Sequence, residues 1–300
     1  ALAAAIPFLV YLRTMAPTVY GLDSAELTTG SYLLGIVHAP GSPTFLLLGH
    51  LDGDVEIFER ERASALARSA RASLNTWATV LPDELWSCWT ILGDTWMVLA
   101  LLAIGLWWQP QALLGFALAV PLGGAVSRLT KVLTQMPRPA GAMEPSQFHI
   151  VGPVLEFHAF PSGHTLSAFA LLAVVLAGRR WGVWGWLGLM LAMGVGLSRM
   201  AVGAHWPADV LAGAALGWVC GTFTRAWGDQ WLQRQSPERH DRTLRVLAWV
   251  CLVLCAWAFQ VDTLYPLARG LQMMLACAGV LSCAAWLWRG RAVYARHYNQ

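Results

Sequence analysis

Three hundred residues are enough for one large domain or two small ones, but composition narrows the class first. Hydrophobic residues make up 57% of the chain and charged residues only 12%, against about 25% charged in soluble domains. With a mean hydropathy of +0.51 and 17 tryptophans, this excludes an ordinary soluble enzyme, a disordered regulator and a disulfide scaffold. It points to a membrane protein. The net charge of +3 forms no basic stripe of the kind nucleic acid needs, so no nucleic-acid partner is expected. The six cysteines (Cys88, Cys220, Cys251, Cys255, Cys277, Cys283) lie in apolar stretches without a CxxC pair and are expected to pack as small buried hydrophobes rather than hold metal.

In chain order, the apolar start ALAAAIPFLVYLR lacks a positive n-region and reads as part of a transmembrane helix, not a signal peptide. The runs APTVYGLDSAEL (16–27) and LGIVHAPGSP (34–43) resemble the opening of the protein O-mannosyltransferase-like glycosyltransferases of the GT-C type. That resemblance implies a catalytic role for Asp23 or Glu26, although nothing after His50 continues the pattern. Residues 1–51 are read first as a remnant or fusion without activity, then as an extra anchor, and last as half of a glycosyl-transfer site. The charged run from Asp52 marks a junction near Leu51. Residues 52–83 read as an amphipathic linker, with Glu56 and Arg60 at i,i+4 and an apolar stripe of Leu74, Trp77 and Leu81.

A membrane-crossing helix needs about 20 mostly apolar residues. Spans are predicted at 84–108, 111–130, 163–178, 181–199 and 207–224, with two more at 246–261 and 270–288. Asp94 inside the first span is an intramembrane acid, read as a structural hydrogen-bonder or as the mark of a lipid-entry path. Arginines cluster after the third span (Arg179, Arg180), after the fifth (Arg225, Arg234, Arg239, Arg242, Arg245) and after the last (Arg289, Arg291, Arg296). All three clusters fall on one side, which the positive-inside rule makes cytoplasmic. Segments 131–162 and 200–206 then share the opposite face.

That opposite face carries three polar blocks: Lys131 to Arg138-Pro139, Pro161-Ser162-Gly163-His164, and Ser198-Arg199 through His205 to Asp209. Singly, each has a structural explanation as a snorkelling anchor, a helix start or a first-turn carboxylate. Together they describe a phosphate site. Lys131, Arg138 and Arg199 supply three cations, and the guanidinium forks of the two arginines suit phosphate oxygens. Ser162 and Gly163 open a helix, where backbone N–H groups are unpaired and point toward an anion. His205 and Asp209 are four apart, so the carboxylate can orient the imidazole.

The blocks KxxxxxxRP, PSGH and SRxxxxxHxxxD resemble the signature of the type-2 phosphatidic acid phosphatase family, which is related to the vanadium haloperoxidases, over residues 84–235. The resemblance implies an all-α, polytopic transmembrane bundle with a six-helix core, followed by two extra C-terminal helices in 236–300. It also implies a hydrolase that needs no metal or other cofactor and passes through a phosphohistidine. In that reading His205 is the nucleophile, Asp209 its orienting partner and His164 the general acid, while Lys131, Arg138, Ser162, Gly163 and Arg199 cradle the phosphate. The substrate class is a membrane lipid phosphate or diphosphate of polyprenyl, phosphatidate or phosphatidylglycerophosphate type. A phosphotransferase or a non-catalytic lipid-phosphate binder would keep the same residues. The expected location is a bacterial inner membrane with the site facing outward. Phe148, His149, Glu156, Phe157 and His158 are candidates for substrate contact or for packing, and the last two helices for packing or a homodimer contact.

Overall fold

A computed structural model describes residues 75, 77–143, 148–177 and 181–298. Residues 1–51 and 52–74 of the linker, with the expectations placed on them, lie outside the described residues, as do Arg179 and Arg180; of the expected apolar stripe Trp77 and Leu81 are described, and both are exposed. The described chain is helical: α1 (Asp83–Ile91), α2 (Thr95–Gly105), α3 (Ala112–Thr134), α4 (Gly163–Leu176), α5 (Val183–Ala201), α6 (Pro207–Gln233), α7 (Pro237–Trp257) and α8 (Arg269–Tyr298). Three segments, Ala112–Ala142, Val183–Ala201 and Pro266–Arg289, are long and apolar enough to cross a membrane.

The predicted single span over 84–108 is instead two helices, α1 and α2, bent by 67°. The break falls where Asp94 acts as an N-cap, its Oδ1 accepting the Trp96 N–H at 2.9 Å. A carboxylate that satisfies a first-turn amide favours a fresh helix start over continuation of the old one. Asp94 is therefore a structural hydrogen-bonder, and it also lines a cavity that runs from Lys131 and His164. The third span is also shorter than expected. At about 1.5 Å per residue, the 14 residues of α4 reach only about 21 Å, short of the roughly 30 Å hydrocarbon core.

Two packing devices hold α4 in the middle of the bundle, against α3, α5 and α6. The first is a stripe of Gly213, Gly217 and Gly221 on α6, where a Cβ would run into the carbonyl oxygens of Ser162, Leu166 and Ala170. Small residues at i, i+4 and i+8 let two backbones approach closely in a membrane helix pair. This approach brings the starts of α4 and α6 together, and the Ser162 N–H donates to the Asp209 carbonyl at 2.9 Å.

The second device closes the other end of α4. Buried Arg225 donates to the Val174 carbonyl (3.2 Å) and to Gln109 Oε1 (3.3 Å), and Gln109 Nε2 donates to the Val175 carbonyl (2.9 Å). These bonds satisfy last-turn carbonyls that have no partner within the helix. Around them, an apolar core from Val98, Leu102, Phe116, Val174, Cys251 and Leu287 ties α2, α3, α4, α7 and α8 together. Cys220, Cys251, Cys255 and Cys283 are buried as expected, Cys88 is half-buried, and Cys277 differs in facing outward.

Candidate active site

The C-terminal end of α3, the N-terminal end of α4, the C-terminal end of α5 and the N-terminal end of α6 meet at one end of the bundle, and they carry all three polar blocks. Local sequence explains how each block is delivered. Helix α3 stops at Gln135, which adopts the left-handed conformation (φ 44°) and returns its N–H to the Lys131 carbonyl at 3.0 Å. Helix α5 ends in a tight return in which the N–H groups of Ala204 and His205 both donate to the Arg199 carbonyl at 3.1 Å. Gly203 makes that return with φ +73°, where a Cβ would also strike the His149 carbonyl.

Helix α6 then begins at Pro207, a residue suited to the first helical position because it lacks the N–H that would go unpaired there. Its N3 residue, Asp209, reaches back so that Oδ2 accepts the Trp206 N–H at 2.9 Å. The same Oδ2 lies 3.3 Å from His205 Nδ1, and both side chains are almost fully buried. A single carboxylate oxygen thus caps the helix and orients the imidazole. The other oxygen, Oδ1, is buried without a hydrogen-bond partner.

On the far side of the ring, Arg138 Nη1 lies 3.4 Å from His205 Nε2. A guanidinium can only donate and a carboxylate can only accept. His205 therefore carries its proton on Nδ1, facing Asp209, and presents a lone pair at Nε2. Burial, then the positive charges of Arg138, Arg199 and Lys131, then His164, hold the His205 imidazole well below its ordinary value near 6.5. Desolvation and nearby cations both disfavour the imidazolium.

Lys131 and Arg138 are held by backbone carbonyls of the loop before α4 and of the α5–α6 turn. Lys131 Nζ donates to the His158 carbonyl (2.8 Å), and Arg138 donates to the carbonyls of Phe157 (Nε, 2.9 Å), His158 (Nη2, 3.4 Å) and Ala204 (Nη1, 3.2 Å). Glu156 and Phe157 therefore act here through their main chain, the Glu156 carbonyl accepting the Arg138 N–H at 2.7 Å, while His158 also places its side-chain Nδ1 3.2 Å from the Lys131 carbonyl. Phe148 joins a small apolar cluster with Phe160 and Trp206. His149 pairs with Asp83 (2.7 Å) and takes Asn75 Oδ1 on its N–H.

Arg199 is 3% exposed; its Nη1 donates to Tyr265 Oη at 2.7 Å, and its Nε is buried without a partner. His164 Nε2 is likewise buried and unpartnered. One expectation needs correcting. The Ser162 N–H is not free for an anion, because the Asp209 carbonyl takes it, and Ser162 Oγ accepts from Thr165 Oγ1 at 3.0 Å. Gly163, with open space where a side chain would stand, retains the exposed first-turn geometry. A cavity of about 380 Å³ extends from Lys131 and His164 past Asp94 to Phe116, Ala119 and Gly123.

Sequence reasoning missed Tyr265, the carbonyl loop and the glycine stripe. The stripe had a readable signal in its repeated four-residue spacing. The carbonyl loop had none, because main-chain atoms carry no residue code.

These features define an all-helical membrane protein with a cation-lined, paired-histidine site at one end of its bundle. Residues 112–233 match the PAP2 superfamily. It is 41% identical over 66 residues to the bacitracin transport permease protein BcrC of Bacillus licheniformis, covering 22% of this chain and 32% of that protein. It is 32% identical over 108 residues to the undecaprenyl-diphosphatase of Sulfolobus acidocaldarius, covering 35% of this chain and 48% of that protein. The chain thus spans less than half the length of either curated relative. A crystal structure of Aquifex aeolicus LpxE aligns over 52% of this chain and 92% of its own, with a TM-score of 0.46 and 26% identity. The likeness of residues 1–51, with Asp23 and Glu26, to the mannosyltransferase-like proteins is not borne out, the family match lying at residues 112–233.

Proposed function

We propose that this chain is an integral-membrane phosphatase that hydrolyses a lipid phosphate or diphosphate through a phosphohistidine, without a metal. The observation that carries the reading is the buried His205, fixed at Nδ1 by Asp209 with its Nε2 lone pair facing Arg138. Nε2 attacks phosphorus, and the bond from phosphorus to the leaving lipid oxygen breaks. His164 gives that oxygen a proton, and then takes one from the water that cleaves the N–P bond. Lys131, Arg138, Arg199, the Gly163 amide and the Ser162 hydroxyl stabilise the charge on the phosphoryl oxygens in the transition state.

The cavity running from His164 to apolar Phe116 and Ala119 supports a lipid substrate, the chain lying there while the phosphate meets the cations. Candidates are polyprenyl diphosphate, phosphatidate and phosphatidylglycerophosphate, with the first favoured by the name of the Sulfolobus relative. The site end of α6 is opposite the end bearing Arg225, Arg234, Arg239, Arg242 and Arg245, which supports a site on the non-cytoplasmic face of a bacterial inner membrane. The test is phosphate release from the three lipids by the purified chain in detergent. His205→Ala is expected to lower release by at least about 10³-fold and His164→Ala by about 10²-fold. Release by His205→Ala at the wild-type rate would overturn the assignment.

A further inference from the structure

Residues 236–300 lie beyond the PAP2 match and were expected to contribute no chemistry, yet the loop joining α7 to α8 delivers a side chain to the site. That loop is tied down at several points. Gln272 Nε2 donates to the carbonyls of Ala258 and Val261 (both 2.8 Å), and Arg269 donates to those of Phe259 (2.6 Å) and Val261 (2.9 Å). The Leu264 N–H donates to Asp262 Oδ1 at 2.8 Å, with Leu264 itself in the left-handed region at φ 63°. The next residue, Tyr265, is 4% exposed, and its ring fills the space beside Gly152, where a Cβ would lie 2.7 Å from Tyr265 Cε1. Its phenol oxygen accepts from Arg199 Nη1 at 2.7 Å, and its ring lies near the guanidinium, 5.7 Å from Cζ to centroid.

We propose that Tyr265 is a positioning residue of the phosphate site: its phenol anchors Nη1 of Arg199 so that the unpartnered remainder of the guanidinium faces the phosphate. This rests on the reading of Arg199 as a phosphate ligand. An arginine side chain has many rotamers to lose on binding, so an unanchored one binds an anion less well than one already placed. The choice of a phenol follows from charge. A carboxylate in the same position would hold the guanidinium equally well but would neutralise it, and the site would lose one of its cations. A neutral acceptor fixes the geometry and leaves the charge for the substrate.

The test is equilibrium binding of inorganic phosphate and of orthovanadate to the purified 300-residue chain in detergent. It compares wild type with Tyr265→Phe, Arg199→Lys and the double variant, each with a thermal melt. Tyr265→Phe keeps the ring and is expected to weaken binding about tenfold while the melting midpoint stays close to wild type. In the Arg199→Lys background the same change is expected to have little further effect, since coupled residues are non-additive. In turnover assays the loss should appear in kcat as well as in KM, because Arg199 is read as stabilising the transition state. Gly152→Ala, which strains a backbone at φ +86° as well as pressing a methyl on the ring, displaces the phenol by a second route and is expected to weaken binding in the same direction, its melt showing how far the strain lowers stability. It keeps the test open if Tyr265→Phe fails to fold. Wild-type binding in both Tyr265→Phe and Gly152→Ala, or an equal loss with and without Arg199, would overturn the role of Tyr265. Failure of the wild-type chain itself to bind either anion would instead overturn the phosphate site on which that role depends.

Discussion

Arg199 and Arg225 are both buried arginines in one bundle, at 3% and 8% exposure, yet their donors meet different surroundings. Arg225 Nε donates to both carboxylate oxygens of Asp229 (2.9 and 2.7 Å), and its Nη1 reaches Gln109 and the Val174 carbonyl. Its charge is neutralised and its bonds close the end of α4. Arg199 has one neutral partner, Tyr265, and a buried Nε with none. An unsatisfied buried cation is costly unless something else meets it, and here the other cations around it make an anion the natural complement. Burial therefore does not separate a structural arginine from a binding one. The inventory of partners does.

Exchanging the two arginines for alanine is the strongest way to break that comparison. Arg199→Ala is expected to reduce lipid-phosphate release by about 10² to 10³-fold with an unchanged or raised melting midpoint. Arg225→Ala is expected to leave the rate per folded molecule near wild type while destabilising the bundle by about 2 kcal/mol. That is below the 3–5 kcal/mol of a fully buried pair, because the Asp229 side chain is 32% exposed and screened by solvent. The opposite pattern, in which Arg199→Ala melts early and Arg225→Ala is inactive, would undo the distinction.

A smaller effect is expected at Gly93, which packs beneath the site. A Cβ there would lie 2.7 Å from the His164 carbonyl oxygen and 2.5 Å from Val195 Cγ1. Gly93→Ala should therefore shift the start of α4, lowering release about tenfold and stability by about 1–3 kcal/mol, read by turnover and thermal melts. An unchanged rate would mean that the position of His164 tolerates such a shift.

The smallest expected effect is on the pH profile. In the proposed mechanism His205 acts in its neutral form, and burial with the neighbouring cations pushes its titration well below 6.5. As pH falls, the neutral form therefore persists below 6.5 and is lost only when the lowered value is passed. The acid limb of kcat/KM belonging to His205 should lie below that of free imidazole. Arg138→Gln removes one of the cations and should move that limb upward, which a pH series on a diphosphate substrate would detect.

Much of the site was legible in sequence because its chemistry needs particular side chains at helix ends. The blocks around Lys131, His164 and His205 sit at helix ends that the periodicity and the proline and glycine signals locate within a few residues. Reading of the fold was weaker where two signals competed. The apolar run 84–108 looks like one span, but the Gly93-Asp94-Thr95 start signal prevails, since an N-cap bond forms locally while apolar composition is compatible with either outcome. Tyr265 was invisible for a different reason: it lies 66 positions from Arg199, and nothing about an isolated tyrosine near a proline indicates what it will touch.

The sequence by itself determined that this is an all-helical membrane chain whose few charges away from the arginine-rich side gather around two histidines. Those properties follow from hydropathy, helix-end chemistry and the scarcity of charge, all of which are local. Only the tertiary structure decided which arginine is neutralised and which keeps free donors, that the Ser162 amide is occupied, and that Tyr265, from the loop between the two C-terminal helices, meets Arg199. Each of these depends on which backbone carbonyls and distant side chains come within about 3 Å, and the close glycine packing of α4 on α6 sets that for Ser162 and Asp209.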